Sequence, residues 1–230
     1  MRILVTRPAE DGAEIARRLE ELGHQALLAP LLDVSFFEGP VLDLDGVQAL
    51  LATSANGVRA LAGRTAQRDI PLFAVGPQTA EAARTAGFLR VRSAEGDAVA
   101  LADAVSHWAD PAAGALLHAA GAESGGWLAG ALAEKGFTVR REDLYRVDAA
   151  MALPDEAVRA LRDGSVKAAL FFSPRSAQVF AACLERAGLA ATGLTAICIS
   201  ANTANALTGL SFAEVRVAAA PNQSALLACL

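Results

Sequence analysis

The stretch Ala168-Ala-Leu-Phe-Phe-Ser-Pro-Arg-Ser-Ala-Gln-Val-Phe180 decides the reading of the fold. It opens as a short apolar run, passes through a Ser/Pro/Arg turn and ends as the start of a helix. A strand that stops at a small hydroxyl residue and enters a helix at once gathers unpaired backbone N–H groups, the positive helix end and a hydroxyl in one place. Leu50-Leu-Ala-Thr-Ser-Ala-Asn-Gly-Val-Arg-Ala-Leu61 repeats the design.

Outward from these two stretches the chain keeps alternating. Apolar runs predict strands over 2–6, 26–28, 31–37, 50–53, 71–75, 89–92, 115–118, 138–140, 144–147, 168–172, 195–199 and 215–217. Helical spacing predicts helices over 14–22, 58–61, 80–86, 98–108, 127–134, 156–161, 177–187 and 204–207, with a last one starting at Asn222. Polar turns are expected at 7–12, 54–57, 76–79, 119–125, 173–176 and 200–203. Strand-helix alternation with short strands apolar on both faces predicts an α/β fold with parallel sheets covered on both sides.

The chain also repeats itself. Placing Gly23 on Gly136 brings Leu4 onto Leu117, Gly12 onto Gly125, Leu31 onto Leu144 and Val34 onto Val147. Small register changes then pair Ser54 with Ser173, Thr79 with Thr203 and Asp97 with Asn222. Two doubly wound, flavodoxin-like units follow, and ligands of such sheets bind beyond the carboxyl ends of the strands. The cleft between the two sets of strand ends is the expected site.

Composition narrows the function. The 230 residues carry 20 Lys+Arg against 25 Asp+Glu, a net charge of −5, which argues against a nucleic-acid or anionic-membrane protein held by a general basic field. Hydrophobic residues make up 53% of the chain, enough for two cores, and no apolar run reaches the roughly 18 residues of a membrane span. Cys183, Cys198 and Cys229 lack C-x-x-C spacing and read as reduced thiols of a cytoplasmic protein. His24, His107 and His118 make no metal-ligand spacing. No phosphate loop, dinucleotide fingerprint or G-x-S-x-G elbow is present.

What remains is a set of hydroxyls at strand-to-helix turns: Thr6, Thr53 with Ser54, Thr79, Ser173 with Ser176, and Ser200 with Thr203. Each also serves as a helix cap whether or not a ligand is near. Their recurrence at one end of successive strands is what points to a site. Tyr145, the only tyrosine, lies on a connecting strand. It reads either as an interfacial aromatic or as a phenol able to donate a proton to a leaving group. Arg7, Arg146 and Arg175 could clamp carboxylates or remain solvated surface charges.

In its ordered motifs the chain resembles the uroporphyrinogen-III synthase family. The resemblance rests on Val5-Thr-Arg-Pro8, Thr53-Ser-Ala-Asn-Gly-Val58, Ala74-Val-Gly-Pro-Gln-Thr-Ala80, Tyr145-Arg-Val147, Phe172-Ser-Pro-Arg-Ser-Ala177 and Ile199-Ser-Ala-Asn-Thr-Ala204, which cover nearly the whole chain. It departs at Ser200, where the parallel with Gly76 suggests glycine. The resemblance implies a discontinuous first domain, 1–35 with 149–230, a second domain over 38–144, and two antiparallel connecting strands at 31–37 and 143–148. It implies a cofactor-free lyase that closes the linear tetrapyrrole hydroxymethylbilane with loss of water and inversion of the last pyrrole ring; the lack of a heptad or an obvious apolar surface face favours a monomer, expected in the cytoplasm. Thr53, Ser54, Asn56, Thr79, Ser173, Arg175, Thr203 and Arg7 are then the expected carboxylate-binding residues, with Tyr145 assisting departure of the hydroxyl. Two α/β lobes on a two-strand hinge also describe a non-catalytic small-molecule binding or sensor protein, and a transferase for nucleotide-linked donors is disfavoured by the missing phosphate loop.

Overall fold

A computed structural model describes the backbone of residues 1–230 and all side chains except those of Ala9 and Glu10. The chain begins with β1 (Arg2–Val5), α1 (Ala9–Glu21), β2 (Gln25–Leu28) and β3 (Leu32–Phe36). It continues with β4 (Val47–Ala52), α2 (Ala55–Arg64), β5 (Leu72–Ala74), α3 (Pro77–Thr85), β6 (Val91–Ser93) and α4 (Ala98–Trp108). After a 3₁₀ turn come β7 (Ala115–Gly121), α5 (Trp127–Glu134), β8 (Val139–Ala149) and α6 (Asp155–Arg162). The last elements are β9 (Val166–Phe171), α7 (Pro174–Ala187), β10 (Thr195–Cys198), α8 (Ala201–Asn205), β11 (Glu214–Val217) and α9 (Gln223–Leu227).

Two units emerge, Met1–Asp33 with Asp148–Leu230, and Val34–Val147. The first holds a five-stranded sheet in the order β2-β1-β9-β10-β11, every neighbouring pair parallel. This is the 2-1-3-4-5 order of a flavodoxin-like sheet. The second holds β3-β8-β7-β4-β5-β6, with parallel pairing from β8 through β6. Matching β7 to β1, β8 to β2 and β4, β5, β6 to β9, β10, β11 gives the same spatial order with the chain entering at a different strand. The internal repeat predicts this matching, and its anchors Gly23 and Gly136 both take positive φ after a helix, at 76° and 86°.

Each sheet is apolar on both faces because it is covered on both. In the first unit Leu4, Ala169, Phe171 and Ala196 pack under α6 and α7, while Ile3, Val5, Leu170 and Ile197 pack under α1 and α9. In the second, Leu50, Ala52, Leu72 and Leu117 face α2 and α3, and Ala49, Leu51, Phe73 and Leu116 face α4 and α5. Period-two alternation sends successive residues to opposite layers, so an apolar run with no polar alternation is what a doubly covered strand requires. Phe171 and Phe180 meet edge to face with centroids 5.1 Å apart, fastening α7 to β9.

Several expectations change, among them the turns expected at 76–79, 173–176 and 200–203, which hold the first residues of α3, α7 and α8. Residues 7–12 are not a free turn: α1 starts at Ala9, because Pro8 at φ −47° sets the entry and Asp11 in the first turn complements the positive helix end. Strand β7 runs on through Gly121 instead of ending at His118, since Ala119 and Ala120 are buried in the sheet. The helix expected over 58–61 spans Ala55–Arg64, beginning at once after the Ser54 cap. The two strands expected at 138–140 and 144–147 are one, β8, with an irregularity in the middle: Ala120 pairs with Asp143, but Gly121 pairs with Tyr145. The skipped residue is Leu144. A bulge breaks the alternation, so Leu144 and Tyr145, although consecutive, both join the layer under α2 and α3.

Candidate active site

The strand-to-helix turns share one local design. Ser54, Ser173 and Ser200 are extended cap residues, at φ −156°, −159° and −157°, and each side-chain oxygen accepts the N–H three residues on, from Gly57, Ser176 and Thr203. Gly76 takes the same extended shape before α3 but has no side chain to cap with. These turns follow β4, β5, β9 and β10, so within each unit they stand at the carboxyl edge of the sheet.

In the second unit the strand order reverses between β7 and β4, and the constellation with most chemistry sits there. Ser54 Oγ lies 2.8 Å from the Tyr145 hydroxyl and accepts Gly57 N–H at 3.0 Å. The Tyr145 ring is buried, with 6% of the residue exposed. Two glycines make room. A Cβ on Gly121 would stand 3.0 Å from Cε2 and Cζ of Tyr145, and a Cβ on Gly57 would stand 2.9 Å from the Ala119 carbonyl oxygen. The Gly121 carbonyl is in turn held by Ser124 N–H at 2.9 Å, Ser124 Oγ at 2.7 Å and Arg141 Nη2 at 3.2 Å. Nearby, Asn56 Oδ1 accepts from Arg59 Nη1 at 2.8 Å, Thr53 is half-buried and Thr79 is buried in the first turn of α3.

In the first unit the corresponding reversal lies between β1 and β9. Thr6 there is fully buried and donates to the Leu170 carbonyl at 2.7 Å, so it ties the two strands together. Arg7 pairs with Asp11 at 3.0 Å and lies over the Phe172 ring at 4.7 Å, a bridging position at the end of both strands. Ser173 and Ser176 bond each other, and Thr203 is fully buried with its hydroxyl 3.1 Å from Ser200 Oγ. Arg175 is exposed beside them.

Sequence reasoning names Ser54 and Tyr145 separately, and the structure brings their hydroxyls together. It misses Gly57 and Gly121. Gly57 had a usable signal, since a glycine in the first turns of a helix weakens the helix and points to a packing reason. His118 is also missed. It is buried on β7 with Nε2 lacking any partner, and burial, reinforced by Arg141, pushes its imidazole down to about 4 while Asp143 opposes the shift. It is therefore neutral at pH 7. Among the described residues no group of three His, Cys, Asp or Glu side chains could hold a metal ion.

Two flavodoxin-like sheets with hydroxyl-capped helices at their strand ends, and a buried phenol at one switch point, define a two-unit α/β protein with polar groups gathered at the carboxyl edge of each sheet. The chain belongs to the uroporphyrinogen-III synthase family: the family model described as uroporphyrinogen-III synthase HemD matches residues 13–228. No curated protein sequence matches it significantly. Among solved structures it is similar to uroporphyrinogen-III synthetase from Helicobacter pylori, at 19% identity and a TM-score of 0.67 over 100% of this chain and 98% of that one. It is also similar to a mutant uroporphyrinogen III synthase from the extremely thermophilic bacterium Thermus thermophilus, at 21% identity and a TM-score of 0.52 over 94% and 92% of the two chains. At these identities the likeness speaks for the fold, and the family match carries the activity.

Proposed function

We propose that this chain converts hydroxymethylbilane to uroporphyrinogen III, with Tyr145 as the proton donor. The observation that carries the role is the placement of the Tyr145 hydroxyl, 2.8 Å from a capped serine at the end of β4. Its O–H protonates the terminal hydroxyl of the substrate, the C–O bond breaks and water leaves an azafulvenium cation. The substituted carbon of the last pyrrole attacks that cation to give a spiro intermediate, which fragments and recloses inverted. The carbon-bound proton lost as the ring regains aromaticity restores the phenol, so the sum is one substrate to one product and water, with no change of oxidation state.

The substrate is rich in carboxylates and the protein is acidic overall. Helix N-termini reconcile the two, because amides and hydroxyls there bind anions locally without adding net charge. Amides at the starts of α2, α3, α7 and α8, with Thr53, Asn56, Thr79, Ser173 and Arg175, serve this purpose, and Ser54 holds the turn before α2 in shape. Thr203 acts through Ser200, to which its hydroxyl is bonded, and Arg7 acts by fixing the end of β1. A cytoplasmic monomer acting on a small molecule completes the reading; the net charge of −5 speaks against a nucleic acid held by a basic field, and among the described residues no helix is long and apolar enough to cross a membrane.

The test is to supply hydroxymethylbilane and separate the oxidised uroporphyrin isomers. Isomer III above the spontaneous isomer I background is expected from the wild-type chain. Tyr145→Phe should lower turnover by about a hundredfold or more with the fold intact. Isomer I alone from wild type would return the chain to a binding or sensor role, and full activity of Tyr145→Phe would remove the phenol from the reaction.

A further inference from the structure

Ser54 has two tasks that its cap position alone does not explain. Its oxygen accepts Gly57 N–H at 3.0 Å, and the same oxygen lies 2.8 Å from the Tyr145 hydroxyl. A hydroxyl has one hydrogen and two lone pairs. With one lone pair engaged by Gly57, Ser54 either donates to Tyr145 or accepts from it. The two cases leave the phenol hydrogen in opposite places: free for a substrate, or spent on Ser54.

The surroundings favour donation by Ser54. Gly57 N–H is one of the unpaired amides in the first turn of α2, at the positive end of that helix. An oxygen that accepts such a hydrogen becomes a better donor through its own O–H, because hydrogen bonds in a chain polarise one another, most strongly where water is scarce. The Tyr145 ring is buried and is held by Gly121, so the phenol oxygen stays where Ser54 reaches it. A directed chain results, from Gly57 N–H to Ser54 Oγ, and from Ser54 O–H to the Tyr145 oxygen.

We propose that Ser54 is a positioning residue that donates to the Tyr145 oxygen, passing on the polarisation of the α2 N-terminus and leaving the phenol hydrogen for the substrate. Ser54 thereby acts through Tyr145 in addition to capping α2. The direction of donation follows from the polarisation of Ser54 by the Gly57 amide; its effect on turnover rests on the reading of Tyr145 as the proton donor.

The two parts are tested separately. Tyr145 is the only tyrosine, so the tyrosine Fermi doublet in the Raman spectrum reports this phenol alone. The intensity ratio of the doublet is higher when the phenol oxygen accepts a hydrogen bond and lower when the phenol only donates. The wild-type spectrum should show the high ratio of an accepting phenol, and the low ratio of a phenol that only donates would overturn the proposal by showing that Tyr145 donates to Ser54. For turnover, Ser54→Asp keeps the N-cap but has no hydrogen to give. It should retain the wild-type unfolding midpoint yet lose roughly tenfold or more in kcat, as Ser54→Ala does, while Ser54→Thr restores most of it. Wild-type kcat in Ser54→Asp would reduce Ser54 to a cap. A high wild-type Raman ratio together with full activity of Tyr145→Phe would keep the hydrogen-bond direction and discard the catalytic reading.

Discussion

The ring of Tyr145 comes within 3.0 Å of where a Cβ on Gly121 would stand, so close that with any side chain there the ring must give by a few tenths of an ångström. Both residues sit at the β7–β8 pairing that follows the bulge, so neither strand is free to step aside. Gly121→Ala should displace the phenol from Ser54 and cost about 1–3 kcal/mol of stability. Thermal unfolding measures the second effect, and the ratio of isomer III to isomer I measures the first. A variant with wild-type turnover would mean that the ring moves without losing its function.

His118 should make the second unit acid-sensitive. Its imidazole, near 6.5 when unfolded, is held at about 4 in the fold by burial and by Arg141, against the opposing effect of Asp143. The folded state therefore resists protonation. Its stabilising contribution is fully present above pH 6.5 and is lost as pH falls from there toward 4, by about 3 kcal/mol in all. Urea unfolding between pH 4 and 8 should show this slope. In His118→Leu the slope should shrink, with stability at pH 7 equal or higher, because an unpaired buried nitrogen is removed.

The three thiols should divide by reactivity. Burial raises the Cys198 thiol to about 11 and raises that of Cys183, with Arg186 opposing the shift at Cys183. Both are buried, whereas Cys229 is half-exposed. A disulfide reagent at neutral pH should modify Cys229 first and reach the other two only as the protein unfolds. Equal rates at all three would contradict this packing.

Thr203 offers a clean separation of cap and ligand roles. Thr203→Val keeps the side-chain shape and removes the hydroxyl that bonds Ser200. Stability should fall by about 1 kcal/mol, and KM should rise only as far as Ser200 loses its orientation. If Ser200→Ala raises KM and Thr203→Val does not, the turn contacts substrate through Ser200 alone.

The serine caps were legible because their physics is local: a hydroxyl residue followed by a helical run satisfies an amide three residues on, as Ser54, Ser173 and Ser200 all do. The parallel sheets and their common order were legible from the repeat, with Gly23 and Gly136 as its markers. The Ser54–Tyr145 bond was not, because it joins positions 91 residues apart on elements whose adjacency depends on strand order. The bulge at Leu144 was hidden for a related reason: Leu144 and Tyr145 are both apolar enough for a regular strand, and only pairing with β7 shows that they share a face. Arg7 read as a candidate anion clamp from its place after β1, and sequence does not reveal that Asp11 and Phe172 also engage it.

The shared strand order, entered at different points, has a consequence for how the chain is made. The unit Val34–Val147 is continuous, so all its strands have left the ribosome once β8 is complete. Residues 1–33 emerge before the second unit, yet β1 has only β2 beside it until β9 arrives, more than 130 residues later. This segment is therefore made early and housed late, and a strand-helix-strand piece with two apolar faces must wait until the second unit has been made. Slow translation or arrest after β8 should leave the second unit folded and protease-resistant while residues 1–33 remain open to cleavage.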